Sequence, residues 1–281
     1  MKIAISAEST IDLPEEMLKE YDIHTVPFTI NFNDELVEDR FGISKEIFDF
    51  VDKTKKLPKT SAVSPEQYRT HFENLKKEYD AIIHVSLSSL MSSAYNNACM
   101  IANDMENVFV VDSRNLSTGI ALLAMRGREL ADEKHTPREI FDILQNTVPQ
   151  VHVDFVLERL NYLHKGGRCS ALTLLGANLL KIKPQIMVSD GKMIVGKKYI
   201  GTINKVVEKY ITDLLEANPN PELNHVFITH SSPMPEAEEI LTKSLKEKGF
   251  VNIHNTLAGG TISSHCGPNC IGVLFINKPQ A

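Results

Sequence analysis

The sequence has few cysteines, no excess of positive charge and no long apolar run. Four cysteines in 281 residues do not suggest a disulfide framework, and no apolar run reaches the ~18 residues of a membrane span. The formal net charge of −6 argues against nucleic acid as a general partner. Residues 1–6 have the pattern of a short strand without a secretory cleavage site, so we expect a cytoplasmic protein.

Familiar nucleotide, hydrolase and metal motifs are also missing. The sequence contains no P-loop, no dinucleotide-binding glycine pattern, no nucleophile elbow and no HExxH zinc motif. His265, Cys266 and Cys270 are close in sequence, but no second ligand pair accompanies them. We therefore expect neither a metal site nor a cofactor.

Strand-like and helix-like segments alternate through the first half of the chain. Apolar runs at residues 2–6 and 81–85 have the pattern of buried strands, and capping boxes that begin at Ser64 and Thr136 mark helix starts. The alternation predicts an α/β fold in which residues 1–150 form a parallel sheet covered by helices. The ligand crevice of such a sheet lies at the carboxyl ends of its strands.

The pattern changes in the second half. Asp190-Gly191 separates two strand-like runs and predicts a β-hairpin. A helix at 235–248 is followed by a strand at 251–255. Residues 151–281 are therefore predicted to form a second α/β domain with a mixed sheet.

Three local patterns in the first half carry further predictions. Asp12 can cap a helix that begins near Pro14. Residues 24–32 alternate apolar and polar side chains and predict one strand. Thr60 and Ser61 precede a helix start and are predicted to lie in a loop near the carboxyl edge of the parallel sheet.

Arg168 follows Gly166 and Gly167, between two apolar segments. Adjacent glycines permit a tight turn, and a cation between two buried segments needs a partner. Two interpretations stay open: an internal ion pair with a carboxylate of the chain, or a contact to the carboxylate or phosphate of a ligand. The second apolar segment has three leucines at helical spacing, Leu172, Leu175 and Leu179.

Hydroxyl groups are concentrated after one predicted strand, where residues 86–93 contain five serines. Such a turn presents hydroxyls and backbone N–H groups to an anion, and capping needs only one or two of them. Another hydroxyl lies beside a histidine at Ser264-His265. These groups suggest nucleophilic catalysis or the binding of an acid group, with positive character from His and Arg. No acid partner for a catalytic triad is evident.

Together these stretches resemble the DegV family of bacterial fatty-acid-binding proteins. The matching segments follow the family order along essentially the whole chain: Lys59-Thr60-Ser61, Ser64-Pro65-Glu66-Gln67, Ser88-Ser89 with Ser92 and Tyr95, Asp112-Ser113-Arg114, Lys165-Gly166-Gly167-Arg168, Lys181-Ile182-Lys183-Pro184, and Ser264-His265 with Gly267-Pro268. The resemblance implies a two-domain α/β fold with one long-chain fatty acid between and within the domains. It also implies a non-enzymatic protein that presents this acid to a separate fatty acid kinase, for acyl-phosphate formation in phospholipid synthesis.

The resemblance implies roles for individual residues as well. Thr60 and Ser92 match the positions whose hydroxyls meet the fatty acid carboxylate, and His265 and Arg168 match the His and Arg behind it. Neighbouring positions that the resemblance places at the same site are Ser61, Ser264, Gly166 and Gly167. Many family members carry a basic Lys-x-Arg on the kinase-facing surface, where this chain has Lys197-Lys198-Tyr199. The alternative function is a small hydrolase or transferase that uses a Ser or Thr nucleophile with His265.

Overall fold

The structure is a computed structural model that describes residues 1–158, 160–168 and 182–279. Its strands are β1 (Ile3–Glu8), β2 (Ile23–Val26), β3 (Thr29–Phe32), β4 (Glu35–Glu38), β5 (Lys59–Ser61), β6 (Ala81–Ser86), β7 (Val108–Asp112), β8 (Val151–Leu157), β9 (Lys183–Ser189), β10 (Lys192–Tyr199), β11 (Pro221–His230), β12 (Asn252–Leu257) and β13 (Cys270–Asn277). Its helices are α1 (Glu15–Glu20), α2 (Ser44–Thr54), α3 (Pro65–Leu75), α4 (Ala94–Ala102), α5 (Thr118–Asp132), α6 (Pro137–Thr147), α7 (Asn161–Gly166), α8 (Ile203–Ala217), α9 (Pro235–Lys248) and α10 (Gly260–Cys266). Short 3₁₀ turns lie at Ser9–Ile11 and Val148–Gln150.

The first half of the chain forms a parallel sheet with strand order β2-β1-β6-β7. Every residue of β1 and β6 is buried, because helices cover the sheet. Helices α3 and α4 contact each other and the sheet, and α5 and α6 also pack on its strands. The predicted helix starts are confirmed, since Ser64 and Thr136 both form complete capping boxes. The predicted α/β class is confirmed.

The second half forms a six-stranded mixed sheet with order β10-β9-β8-β13-β11-β12. The predicted hairpin joins β9 to β10, and Asp190 and Gly191 both adopt positive φ, as a tight two-residue hairpin turn requires. This turn contacts the loop that follows β6, where the Ser88 hydroxyl donates to the Gly191 carbonyl at 2.7 Å. Arg114 Nη1 donates to the neighbouring Asp190 carbonyl at 3.1 Å. The hairpin thus joins the mixed sheet to the loops of the parallel sheet.

Helix α5 packs between the two sheets, against β1 and β6 on one side and β8, β11 and β13 on the other. Eleven of its fifteen residues are buried, so its sequence is apolar on most faces instead of along one stripe. Gly119 permits its close approach to β8, because an added Cβ would lie 2.7 Å from the Val153 methyl carbon. One apolar core therefore continues from the parallel sheet through α5 into the mixed sheet.

Two predictions about the first half are wrong. Residues 24–32 form two strands in different sheets, because Pro27 lacks the N–H group that would continue the ladder. Thr60 and Ser61 lie in strand β5, not in a loop, and β5 pairs with β3 in a three-stranded antiparallel sheet of order β4-β3-β5. Thr60 therefore reaches the site from a separate small sheet.

The predicted capping role of Asp12 is also wrong. Helix α1 begins at Glu15 with Pro14 at the N-cap position, and Asp12 ends the preceding 3₁₀ turn with φ of 57°. Its carboxylate accepts from the Gly259 N–H at 2.8 Å and from the Ser117 hydroxyl at 2.5 Å. Asp12 therefore bonds to residues far away in the sequence and does not cap α1, which a local pattern cannot reveal.

Leu172, Leu175 and Leu179, predicted to share a helix face, lie outside the described residues. Of the helices that the structure describes, none is both long and apolar enough to span a membrane.

Candidate functional site

A cavity of about 150 Å³ lies where the three sheets and α10 approach one another. Its lining comes from seven segments of the chain: Phe28, Thr60, Ala62, Leu87, Met91, Ser92, Ser93, Leu116, Arg168, Met193, Thr261, Ile262, His265 and Cys266. Thr60, Ser92, Arg168 and His265, each predicted from a different stretch of sequence, line this one cavity. The remaining lining is largely apolar, so the cavity has a polar group of side chains beside a hydrocarbon-like wall.

A hydrogen bond of 2.9 Å joins Thr60 Oγ1 on β5 to His265 Nε2 on α10. The other ring nitrogen, Nδ1, is buried and has no hydrogen-bond partner in the described part of the chain. A proton on Nε2 avoids burying an unpaired N–H group, so His265 donates to Thr60 in the favoured tautomer. The Thr60 hydroxyl then keeps its own proton for another acceptor.

Gly166 packs directly on the His265 ring. A Cβ at this position would collide with Nδ1, so the absence of a side chain allows the end of α7 to cover the imidazole. Gly167 follows with φ of 70°, and this left-handed residue ends α7 and turns the chain towards Arg168. Both glycines that precede Arg168 are thus explained by local geometry.

His265 is neutral at neutral pH, contrary to the expected positive character. Burial, and secondly the charge of Arg168, lower its pKa from 6.5 to about 4. Arg168 is therefore the cationic side chain of the cavity lining that the structure describes.

Arg168 is exposed instead of buried between two segments. Its Nη1 donates to the Gly166 carbonyl at 2.7 Å, and no carboxylate among the described residues forms an ion pair with it. The internal ion pair considered from the sequence is therefore not found in residues 1–158, 160–168 and 182–279. The other guanidinium nitrogens have no partner among those same residues, and Arg168 lines the cavity.

Ser92 lies in the turn that links β6 to α4. Its Oγ accepts from the Ala94 N–H at 3.2 Å, and its hydroxyl proton has no acceptor among the described residues. Ser93, which we did not predict as a site residue, lines the same cavity and makes no capping bond to α4. The signal for Ser93 was its place in the same serine-rich turn.

The other serines of this turn have structural partners. Ser88 donates to Gly191, and Ser89 donates to Asp112 Oδ2 at 2.5 Å. Asp112 also accepts from the Arg114 N–H at 3.0 Å, so these residues fix the loops. The five serines therefore divide into three structural hydroxyls, with Ser86 as the third, and two at the cavity.

Ser61 and Ser264 are predicted site residues that do not line the cavity. Ser61 is exposed and, because strand neighbours point to opposite faces, it projects away from the side of Thr60. Ser264 is buried on α10, and its hydroxyl has no partner among the described residues.

Buried Asp39 and Asp12 hold the N-terminus of α10, a feature that sequence reasoning missed. Asp39 accepts from the N–H groups of Gly260 at 2.6 Å and Thr261 at 3.1 Å, and Asp12 accepts from Gly259. Burial raises the pKa of both carboxyls, that of Asp12 well above its usual range. These two carboxyls therefore fix the start of the helix that carries His265.

Glu8 plays a comparable part behind the serine-rich turn. It is fully buried at the end of β1, and its carboxylate accepts from the Leu87 N–H at 2.9 Å and the Ser86 hydroxyl at 2.6 Å. Burial would raise its pKa, but His84 and hydrogen bonds from Ser86 and Tyr68 outweigh this effect and lower it. An ionised Glu8 thus anchors the point where β6 leads into the cavity wall.

The fold and the site define an α/β protein in which three sheets and α10 meet around a cavity lined by hydroxyl groups and apolar side chains. The chain belongs to the DegV family, because the model described as "Uncharacterised protein, DegV family" matches residues 2–278. The resemblance inferred from the sequence is thereby confirmed.

Individual relatives extend over the same length. A DegV domain-containing protein of Caldanaerobacter subterraneus is 31% identical over 284 residues, 99% of each chain. A Thermotoga maritima protein named "Fatty acid-binding protein" is 29% identical and aligns with 97% of this chain and 96% of its own. The crystal structure of DegV, a fatty acid binding protein from Bacillus subtilis, has a TM-score of 0.86 at 26% identity and covers 99% of this chain and 100% of its own.

Proposed function

We propose that this protein binds one long-chain fatty acid, with the carboxylate at Thr60 and Ser92 and the tail along the apolar wall between the sheets. The observation that carries this proposal is the pair of hydroxyl protons, on Thr60 and Ser92, that have no acceptor among the described residues, in a cavity whose remaining lining is largely apolar. The fatty acid binding of family relatives supports it. In this proposal the ligand lies between a domain of residues 1–150 and a domain of residues 151–281.

The groups at the polar end suit a carboxylate. A carboxylate that leaves water needs donors in place of its hydration, and each hydrogen bond to a charged group contributes about 1.5–3 kcal/mol. Thr60 and Ser92 supply two donors, Ser93 is a third at the same wall, and Arg168 supplies the compensating charge. An apolar tail adds about 0.8 kcal/mol for each buried CH₂. Binding therefore combines a charged anchor with a large hydrophobic contribution.

The hydrolase or transferase alternative is disfavoured by the state of His265. The Thr60–His265 contact has the spacing of a nucleophile and its base, 2.9 Å. A base of pKa about 4 is, however, a poor acceptor for a hydroxyl proton at neutral pH. No described carboxylate orients Nδ1, where Gly166 packs instead. The pair is better suited to holding the Thr60 hydroxyl towards a ligand.

We further propose that the protein presents the bound acid to a separate fatty acid kinase. This step would take place in the cytoplasm and serve phospholipid synthesis. The exposed Arg168 places the carboxylate end near solvent, where a second protein can reach it. At Lys197-Lys198-Tyr199, Lys197 is paired with Asp213 at 2.6 Å and the Tyr199 hydroxyl donates to the same carboxylate. Lys198 remains as the exposed basic group of this triplet with no described ion pair.

Native mass spectrometry of the purified protein, followed by titration of the delipidated protein with a fluorescent fatty acid, tests the proposal. We expect one acid per chain and saturable binding. Acyl-phosphate formation on adding a fatty acid kinase and ATP, measured as the hydroxamate, tests the presenting role separately. Saturable hydrolysis of an ester substrate, abolished by Thr60→Ala, with no fatty acid binding would support the hydrolase instead.

A further inference from the structure

A second, smaller cavity of about 20 Å³ adjoins the first. The two cavities share three lining residues, Leu116, Ile262 and Cys266, so these side chains form the wall between them. The rest of its lining comes mainly from the mixed sheet, including Phe155 on β8 and Leu274 on β13. It therefore extends the ligand space from the serine-rich turn towards the interior of that sheet.

The polar side chains in the wall of the small cavity are all engaged elsewhere. The Ser117 hydroxyl donates to Asp12, and the Ser231 hydroxyl donates to the Gly267 carbonyl at 2.6 Å. Thr229 shares hydrogen bonds with two other threonine hydroxyls, at 2.7 and 3.2 Å. His230 Nδ1 bonds to the Ser232 carbonyl at 3.0 Å. This wall consequently presents an apolar surface despite its composition.

The two cavities differ in their available hydrogen-bond donors, and this difference favours one orientation of a bound ligand. Hydroxyl protons on Thr60 and Ser92 are available in the larger cavity, whereas the described hydroxyls around the smaller one already have acceptors. An amphiphile with one anionic end therefore places that end at Thr60 and Ser92. Its apolar terminus points through the wall towards the mixed sheet.

Ile262 is the residue of this wall best placed to control passage. It lies on α10 one turn before His265, so the helix that positions the head group also positions this side chain. It is half-buried, whereas Leu116 and Cys266 are buried within the core. A change in its size therefore alters the connection between the cavities with less disturbance of packing than a change at its two neighbours.

We propose that the small cavity receives the methyl end of the bound fatty acid and that Ile262 determines the chain length that the protein prefers. This inference rests on the proposed fatty acid binding. A smaller side chain at 262 opens the wall and admits further CH₂ groups, each worth roughly fourfold in affinity when buried, from ~0.8 kcal/mol per CH₂. A larger side chain closes the wall and excludes them.

Competition among saturated acids tests the inference. The delipidated protein is incubated with an equimolar series from lauric to arachidic acid, and native mass spectrometry reads the bound distribution. We expect Ile262→Ala and the milder Ile262→Val to shift the distribution to longer acids, by roughly fourfold in relative occupancy per added CH₂ for the alanine variant. Ile262→Phe should shift it to shorter acids.

Ile240→Ala is the matched control, because Ile240 is a half-buried isoleucine of α9 that packs on the second core cluster and lines neither cavity. It should leave the distribution unchanged. The inference is overturned if the parent binds fatty acids and the folded Ile262 variants, valine included, bind the same distribution as the parent. If the parent binds no acid at all, the proposed function fails and this inference fails with it.

Discussion

The proposed ligand contacts of Thr60 and Ser92 can be tested directly, because neither hydroxyl proton has an acceptor among the described residues. We predict that Thr60→Ala and Ser92→Ala each weaken binding of a fluorescent fatty acid about tenfold or more, since a hydrogen bond to a charged group contributes ~1.5–3 kcal/mol. Ser61→Ala is the control, because Ser61 is exposed on the same strand and does not line the cavity. Equal affinities for all three variants and the parent would show that the carboxylate lies elsewhere.

His265 gives a prediction about pH. Burial, with Arg168 second, lowers its pKa from 6.5 to about 4, so the unfolded chain binds this proton at a higher pH than the folded one. The stability contribution of neutral His265 is therefore fully present above pH 6.5 and is lost as the pH falls towards about 4. Urea unfolding across this window should show a steeper loss for the parent than for His265→Gln, which cannot take up a proton.

The comparison with His265→Gln is needed because other histidines act in the same direction. Burial lowers the pKa of His71 to about 3 and that of His254 to about 4. Their contributions are common to the parent and the variant and cancel in the difference. Parallel stability profiles for the two proteins would contradict the assigned state of His265.

Helix α10 depends on carboxyls that are far away in the sequence. Asp39 accepts two N–H groups at its N-terminus, so we predict that Asp39→Asn lowers stability by about 1–3 kcal/mol, the cost of a buried donor without an acceptor. The same change should weaken fatty acid binding, because α10 carries His265. Asp34→Asn, at an exposed position between β3 and β4, is the control for charge and should leave both unchanged.

Rescue separates this positioning role from a general loss of stability. If osmolyte restores the melting temperature of Asp39→Asn but not its affinity, α10 is misplaced in a folded protein. If affinity returns together with stability, Asp39 acts on folding alone.

The elements differ in how well the sequence predicts them, and the reason is the range of the interactions that form them. The Asp190-Gly191 hairpin, the Ser64 and Thr136 caps and the helix at 235–248 were predictable because their signals lie within a few neighbouring residues. The predicted helix cap at Asp12 rested on a local pattern, but its carboxylate instead accepts from the N–H of Gly259, 247 residues away. Strand β5 was missed because three residues carry no periodicity, and its pairing with β3 is what defines it.

The site shows the same division. Local composition indicated that Thr60, Ser92 and His265 could meet an anion, but the bond between Thr60 and His265 spans 205 residues. The neutral state of His265 and the exposure of Arg168 depend on packing around α7 and α10, which no single segment contains. The resemblance to a family, and not the pattern of residues alone, predicted that these groups come together.

The two sheets are expected to unfold together, because α5 is shared between them and one apolar core runs through both. We predict a single thermal transition, coincident by far-ultraviolet circular dichroism and tyrosine fluorescence. Gly119→Ala should lower its midpoint, since the added Cβ would lie 2.7 Å from the Val153 methyl carbon and overpacking costs about 1–3 kcal/mol.

Gly127→Ala on the same helix is the matched control. Its added Cβ would meet the flexible end of Leu144 at 3.3 Å, and alanine favours a helix over glycine by about 1 kcal/mol, so stability should stay the same or rise. A single transition whose midpoint falls in Gly119→Ala is the result expected if the contact of α5 with β8 couples the two sheets. Two separate transitions, of which Gly119→Ala shifts only one, would instead mean that the sheets fold independently and that a ligand between them is what couples their stabilities.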